Sequence, residues 1–342
     1  MKTKIYDLRS DTLTLPTREM RKAMYRADMG DDVYGEDPTV IRLQELGAKI
    51  TGKKEALFIP SGSMGNLIPL MLKGGRGNEV LAQSNSHILH YELSSAAALA
   101  GVTVVPVEGE RGILKPQELE KHLRPDIYYM PRVSMVSVEN THNKEGGSCY
   151  TLEELKAVGE FCKKHNLHLH MDGARLFNAV AATGISAKRY CAGVDTVTFC
   201  LSKGLGAPVG ALLCGPAPFI EEARRVRKML GAGMRQAGVL AAAGIYALEN
   251  HINRLKDDNR HARELAETLS GLSWARIDPA SVETNIIYFD TPRQEASAVV
   301  ASLKKRQILA TPTGAHSIRL VTHLDISDED VEHIRKLFTT CG

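Results

Sequence analysis

Residues 167–175 read Leu-His-Leu-His-Met-Asp-Gly-Ala-Arg, and residues 196–206 read Thr-Val-Thr-Phe-Cys-Leu-Ser-Lys-Gly-Leu-Gly. Each is a short apolar run that ends in an ionisable residue beside glycine. Alternation in the first sets Leu167, Leu169 and Met171 on one face and His168, His170 and Asp172 on the other. Runs of this length, separated by helical text near 175–182, predict parallel strands of an α/β sheet. In such a sheet ligands collect outside the carboxyl ends of the strands, where Asp172 and Lys203 fall.

The same alternation of strand and helix continues on both sides. Val40, Leu43, Leu46 and Ile50 recur at helical spacing within Pro38–Thr51, and the run Ala56–Ile59 follows as a strand. The turn Pro60-Ser61-Gly62-Ser63 opens an apolar helix through Leu72. Further strands are expected at 79–82, 102–107, 135–139 and 210–214, with helices at 91–100 and 114–124. A third helix, 155–165, stands behind the capping box Thr151-x-x-Glu154. The text changes character near Asn250. A charged helix (254–269), strand (285–289), helix (294–305), strand (318–322) and helix (328–338) make a small α+β unit. The expected organisation is therefore a large domain, 15–249, built on a mainly parallel sheet flanked by helices, and a small C-terminal domain, 250–342. Residues 1–14 return to the small unit or line the cleft.

Composition narrows the class. The 342 residues carry a net charge of +3, with 24% charged and 43% hydrophobic. These values exclude a disordered chain and a strongly basic nucleic-acid binder. The longest apolar stretch, Ala237–Leu248, falls short of the ~18–20 residues of a membrane span. The N-terminal text, MKTKIYDLRSD, has no apolar signal region. Six cysteines without a C-x-x-C pair point to reduced thiols and a cytoplasmic protein.

Three motifs carry chemistry. Lys203, between Ser202 and Gly204 at a strand end, suits a Schiff-base nucleophile, although most lysines simply lie on the surface. Asp172 with Arg175 suits a cofactor anchor, although an N-cap Asp and a surface Arg would read the same. Ser61, Gly62 and Ser63 at a helix start offer free N–H groups and a dipole to a phosphate. Met229–Gly238, with Arg235, suits close packing around an anion. Competing motifs fail. Gly47-x4-Gly52-Lys53-Lys54 lacks the final Ser/Thr of a P-loop, no G-x-G-x-x-G follows the first strand, and His165, His168 and His170 lack companions for a metal site. Lysine, strand-end aspartate and phosphate seat together converge on pyridoxal 5'-phosphate (PLP).

Longer stretches strengthen this reading: Asp7-Leu8-Arg9-Ser10-Asp11-Thr12, residues 30–38 (GDDVYGEDP), Glu139-Asn140-Thr141-His142-Asn143, Asp172-Gly173-Ala174-Arg175, Leu201-Ser202-Lys203-Gly204, Gly233-Met234-Arg235-Gln236 and Arg319-Leu320-Val321-Thr322-His323. In order, over residues 5 to about 338, the chain resembles the L-threonine aldolases, especially the low-specificity type. The resemblance implies the aspartate-aminotransferase fold (fold type I), PLP, a homotetramer with a dimer as its minimal unit, and reversible cleavage of L-threonine or L-allo-threonine to glycine and acetaldehyde. By matching position it implies Lys203 as the Schiff-base lysine, Asp172 as partner of the pyridine nitrogen, and Arg175 beside the ring. His87 stacks on the ring and is the expected base, directly or through a water. Ser61, Gly62 and Ser63 hold the phosphate, Ser202 flanks the lysine, and Lys228 and Arg235 reach a neighbouring subunit's site. Ser10 and Arg319 hold the substrate carboxylate, and Tyr34, in an interface loop, and Tyr129 are the further substrate-binding residues. No metal, nucleic acid or membrane partner is implied.

One position departs from the family. Tyr129 stands where members commonly carry a histidine near the substrate hydroxyl. With a phenol there, both epimers should be cleaved, the allo form preferred, with His87 retaining most of the proton transfer. Alternatives on the same cofactor are β-elimination and racemisation; the non-enzymatic alternative is a catalytically silent PLP-fold binding protein.

Overall fold

The structure, a computed structural model, describes residues 4–341. In chain order the strands are β1 (Tyr6–Asp7), β2 (Glu55–Ile59), β3 (Glu79–Gln83), β4 (Thr103–Val107), β5 (Val133–Glu139) and β6 (His168–Asp172). There follow β7 (Thr196–Cys200), β8 (Ala211–Gly215), β9 (Ile286–Asp290), β10 (Ile308–Leu309), β11 (Thr311–Pro312) and β12 (Ser317–Val321). Seven form one sheet in the order β2-β8-β7-β6-β5-β3-β4, in which β8 runs antiparallel to both neighbours and the remaining pairs are parallel. Helices cover both faces, so β3, β7 and β8 are buried at every residue, as expected of a sheet with no solvent face. This is the expected α/β class.

The helices start where the sequence can cap them. Asp37 accepts from the N–H of Thr39 and Val40 ahead of Pro38–Thr51, and Thr151 and Glu154 close the capping box of Leu152–Lys164. Two expected helices are shorter. The 114–124 segment is helical only over Pro116–Glu120, with Lys121 as its C-cap. The 91–100 segment breaks at Leu93 and Ser94, whose φ values of 51° and 54° are left-handed. Only Ala96–Ala100 then winds, as a single π turn. Four helices went unread: Arg18–Tyr25, His87–His90, Ala187–Cys191 and Ala217–Met229.

A second sheet, β11-β12-β9, is antiparallel and backs onto its own core of Leu265, Trp274, Phe289, Ile318 and Phe338. Tyr6 and Leu8 join that core, and β1 pairs in parallel with β10. The helix Leu255–Ser270 links the two cores: Leu255 packs in the large one, Leu265 and Leu269 in the other. Among the described residues no helix is long and apolar enough to cross a membrane.

Candidate active site

Asp172 ends β6 as a buried carboxylate. Its Oδ1 accepts from the Ala174 N–H (2.9 Å) and its Oδ2 from the Asn66 amide (2.7 Å). Burial alone would raise its pKa. The charges of His87 and Lys203 and these hydrogen bonds outweigh burial, so Asp172 is held below the usual carboxylate range. Asn66 comes from the helix Gly62–Pro69, which is able to press onto β7 because residue 65 is glycine. A Cβ there would lie 2.3 Å from Thr198 Cγ2. Ser61 caps that helix through the Met64 N–H, and the N–H groups of Gly62 and Ser63 in its first turn lack intrahelical partners.

His87 follows β3. Its backbone N–H donates to Glu139 Oε2 (2.9 Å) at the end of β5, and its Nδ1 lies 2.8 Å from Glu92 Oε1. Burial pushes the Glu92 pKa up. For His87 burial opposes the charge, but the Glu92 hydrogen bond and the nearby Asp172, Glu92 and Glu139 carboxylates win, and its pKa is raised. A histidine oriented through Nδ1 by a carboxylate, with Nε2 open, has the geometry of a general base. His87, Glu92 and Asp172 each bring one oxygen or nitrogen within 4.8 Å of the others. The Asn66 amide, donating to both carboxylates, accounts for that closeness.

Lys203 stands three residues beyond β7, in a turn closed by the Gly206 N–H on its carbonyl (2.8 Å). Among the described residues its amine has no hydrogen bond, yet its charge lowers the pKa of both Asp11 and Asp172. Arg175 is clamped by buried Asp11 through two 2.7 Å bonds. Burial acts against ionised Asp11. The Arg175 charge and hydrogen bonds, with the Lys203 charge, prevail and bring its pKa to about 2. Asn143 Oδ1 then bridges Arg175 (3.4 Å) and Arg319 (3.3 Å). Arg319 also donates to the Arg9 carbonyl (3.1 Å), which brings it to the residue beside Ser10, and its buried Nε has no protein partner.

Comparison with known proteins identifies the family. The Beta-eliminating lyase family matches residues 7–292. Low-specificity L-threonine aldolase 1 of Arabidopsis thaliana is 42% identical over 339 residues, 97% of this chain and 95% of the relative. Low specificity L-threonine aldolase of Escherichia coli (strain K12) is 42% identical over 329 residues, 96% of each. This chain belongs to the low-specificity L-threonine aldolase family. Its fold is shared by a Leishmania major threonine aldolase (TM-score 0.83, 22% identity, 98% of this chain and 100% of that one). An SPT solved with PLP also has this fold (TM-score 0.77, 17% identity, 99% and 88%). A further relative is alanine racemase TOXG of Cochliobolus carbonum, 37% identical over 299 residues, 83% of this chain and 75% of that protein.

Not every residue implied by the family resemblance gathers here. Arg235 pairs with Asp31 (2.8 Å) and Arg227 with Asp32 (2.7 Å). Asp32, Val33, Arg227 and Lys228 line a separate cleft of about 440 Å³. Tyr34, on the same loop, is exposed. Among the described residues no hydrogen bond or ion pair joins Tyr34, Lys228 or Arg235 to Lys203, Asp172 or His87. Ser202 is half-buried beside Lys203. Tyr129 is 70% exposed and sits four residues before β5, at the amino-terminal edge of the sheet. Seven residues of strand, ~20 Å, separate that edge from Glu139. A cleft of about 1430 Å³ also lies on that edge, lined by Arg124, Arg132, Lys163 and His168 and not by Lys203. Sequence reasoning missed Asn66, Glu92, Glu139, Asn143 and the pairing of Asp11. Asp11, Glu139 and Asn143 stood inside quoted motifs and Asn66 in the helix read after Ser63, whereas Glu92 carried no local signal.

Proposed function

We propose that this chain cleaves L-threonine and L-allo-threonine reversibly to glycine and acetaldehyde with PLP as cofactor. The reading is carried by one observation: Asp172, Lys203 and the Glu92-oriented His87 converge at the carboxyl ends of β6, β7 and β3. The donor set suits the cofactor. Asp172 is a buried anion for the pyridine nitrogen, Lys203 an uncommitted amine for the aldehyde, and the first-turn N–H groups of Gly62 and Ser63, with Ser61, a seat for the phosphate. A Cβ at Gly62 would lie 2.7 Å from Cys200 Sγ, so that seat is bare backbone. When bound, PLP supplies a ring that withdraws electrons from the substrate Cα. Arg319, with its open Nε, and Ser10 hold the substrate carboxylate. His87 Nε2 takes the hydroxyl proton while Glu92 holds Nδ1, and Arg175, locked by Asp11, flanks the ring. Ser202 lines the approach to Lys203.

In this reading Lys228, Arg235 and Tyr34 serve a neighbouring subunit's site. Tyr34, Met229 and Tyr25 are exposed, and the assembly is the homotetramer, with a dimer as its minimal unit, that the family resemblance implies. Residues 15–249 and 250–342 act as two domains, the N-terminal segment joining the second. Six free, buried thiols fit a cytoplasmic location. The racemase relative favours a second reading, proton exchange at Cα on the same residues. Acetaldehyde release from the two threonine epimers, measured beside pyruvate release from L-serine and racemisation of L-alanine, decides between them. Turnover of alanine without cleavage of either threonine would overturn the aldolase reading.

A further inference from the structure

Asn66 stands between two buried carboxylates. Its Nδ2 lies 2.7 Å from Asp172 Oδ2 and 2.8 Å from Glu92 Oε1. Both partners are acceptors, so only the NH2 group can face them, and the amide oxygen is turned the other way. That oxygen lies 3.2 Å from His170 Nε2. Being an acceptor, it requires a proton on Nε2. The opposite ring nitrogen, Nδ1, lies 2.9 Å from Thr196 Oγ1, which is 2.8 Å from His168 Nε2.

His170 is buried directly behind Asp172 on the same strand face. Burial brings its pKa to about 3 against the pull of the Asp172 charge, so the ring is neutral near pH 7. A neutral ring with its proton on Nε2 must accept at Nδ1. The Thr196 hydroxyl therefore donates to His170, and Thr196 Oγ1 accepts from His168 Nε2–H. Two facts assign the protons on this line: two carboxylates flank Asn66, and the His170 ring is neutral. The direction of donation runs from His168 at the amino-terminal end of β6 to Asp172 at its carboxyl end.

We propose that His170 is a positioning residue: as the Nε2–H tautomer it locks the Asn66 amide, which holds the Asp172 carboxylate at the cofactor's ring nitrogen and keeps it apart from Glu92. Thr196 and His168 select that tautomer. The proposal rests on the reading of Asp172 as the PLP partner. A flipped amide would aim its oxygen at two carboxylates, and Asp172 would lose a charge-assisted hydrogen bond.

The test uses the full-length chain labelled with ¹⁵N-histidine, with and without added PLP. Long-range ¹H–¹⁵N spectra report each imidazole's tautomer, and fluorescence titration reports PLP affinity. In wild type the resonance that vanishes in His170→Gln should show Nε2 protonated and Nδ1 bare at pH 7. Thr196→Val, close to wild type in shape, should let the Nδ1–H form appear and weaken PLP binding by about tenfold or more, the worth of a hydrogen bond to a charged group. His170→Phe should lose about 10–100-fold, whereas His170→Gln, with an amide N–H at the same reach, should stay within about threefold. An Nδ1–H or doubly protonated His170 in wild type overturns the proposal, as does wild-type PLP affinity in Thr196→Val. A wild type showing the Nε2–H form yet unable to bind PLP upholds the hydrogen-bond line and overturns the cofactor reading alone.

Discussion

The buried centre around Asp172 and the basic arm around Arg235 use similar residue types to opposite ends. At the centre, a line of hydrogen bonds joins Asp172, Asn66, Glu92 and His87, and Arg175 is clamped by Asp11 with both partners nearly inaccessible. On the arm, Arg235 meets Asp31 with half its side chain in solvent, and Lys228 and Tyr34 are open. An exposed pair of that kind is worth ~0–1 kcal/mol, whereas removing one partner of a buried pair costs ~3–5 kcal/mol. The centre is thus held by contacts within one chain, and in the proposed reading the arm serves a neighbouring subunit's site.

The largest effect expected from this division is at Lys203. Lys203→Ala should abolish the visible absorbance of the PLP-loaded protein that borohydride removes, together with acetaldehyde release. A reducible protein–cofactor linkage surviving in that variant would assign the amine elsewhere. Its fold should be undisturbed, because the Lys203 amine holds no partner among the described residues.

Next in size is a mixing experiment that asks whether the arm serves the neighbour. Arg235→Ala should leave the thermal midpoint within about 1–2 °C, since it breaks only an exposed pair, yet cleave threonine poorly. Combined with Lys203→Ala subunits under conditions of proven exchange, it should recover part of the activity through hybrid sites. No recovery would return Arg235 to its own chain's surface and erase the contrast between centre and arm.

A smaller effect separates the two regions by pH. His170 takes its pKa from 6.5 in the unfolded chain to about 3 in the fold, and His168 to about 4. Between those limits the unfolded chain binds more protons, so these histidines subtract stability as pH falls below 6.5, by at most about 1.4 kcal/mol per pH unit for each. His170→Gln removes one of them. Its stability deficit at pH 7.5 should therefore shrink as pH is lowered to 4.5, measured by urea unfolding at each pH. A constant gap would mean that His170 is not buried neutral. Arg235→Ala should respond to salt and show no such closure.

How far each region could be read from the sequence follows from the same contrast. Alternation placed β6 and β7, and glycine-flanked ends placed Asp172 and Lys203, because those signals are local. The helix Ala217–Met229 was hidden by Pro216 and Pro218, which read as loop text although proline suits a first turn. Glu92 was invisible for a different reason. It meets Asn66, 26 residues away, only because Leu93 and Ser94 leave the helical region just after it, and neither residue type announces a left-handed turn. His170 was visible as a histidine on the Asp172 face, but its work depends on an amide 104 residues away. The arm's residues were quoted as motifs, yet nothing local says whether they serve their own chain or a neighbour.

The smallest effect, and the sharpest use of the comparison, is at Tyr129. It occupies the position of a histidine commonly found in the family, but in this chain its side chain points into solvent beside Tyr128, with ring centroids 5.2 Å apart. It lies at the amino-terminal edge of the sheet, the length of β5 from Glu139. Like the arm, it has no partner in the centre. If His87 performs the proton transfer, His87→Phe should lower kcat/KM by about 10²–10⁴-fold for both threonine epimers. Tyr129→Phe, which removes only a hydroxyl from an exposed ring, should change either value by less than about threefold, within the ~0.5 kcal/mol of an ordinary surface substitution. The ratio of the epimers, with L-allo-threonine the better substrate, should then stay as in wild type. A loss in Tyr129→Phe that rivals His87→Phe, or a reversal of that ratio, would mean that the phenol reaches the substrate of a neighbouring subunit. Tyr129 would then join Arg235 as part of a site that no single chain contains.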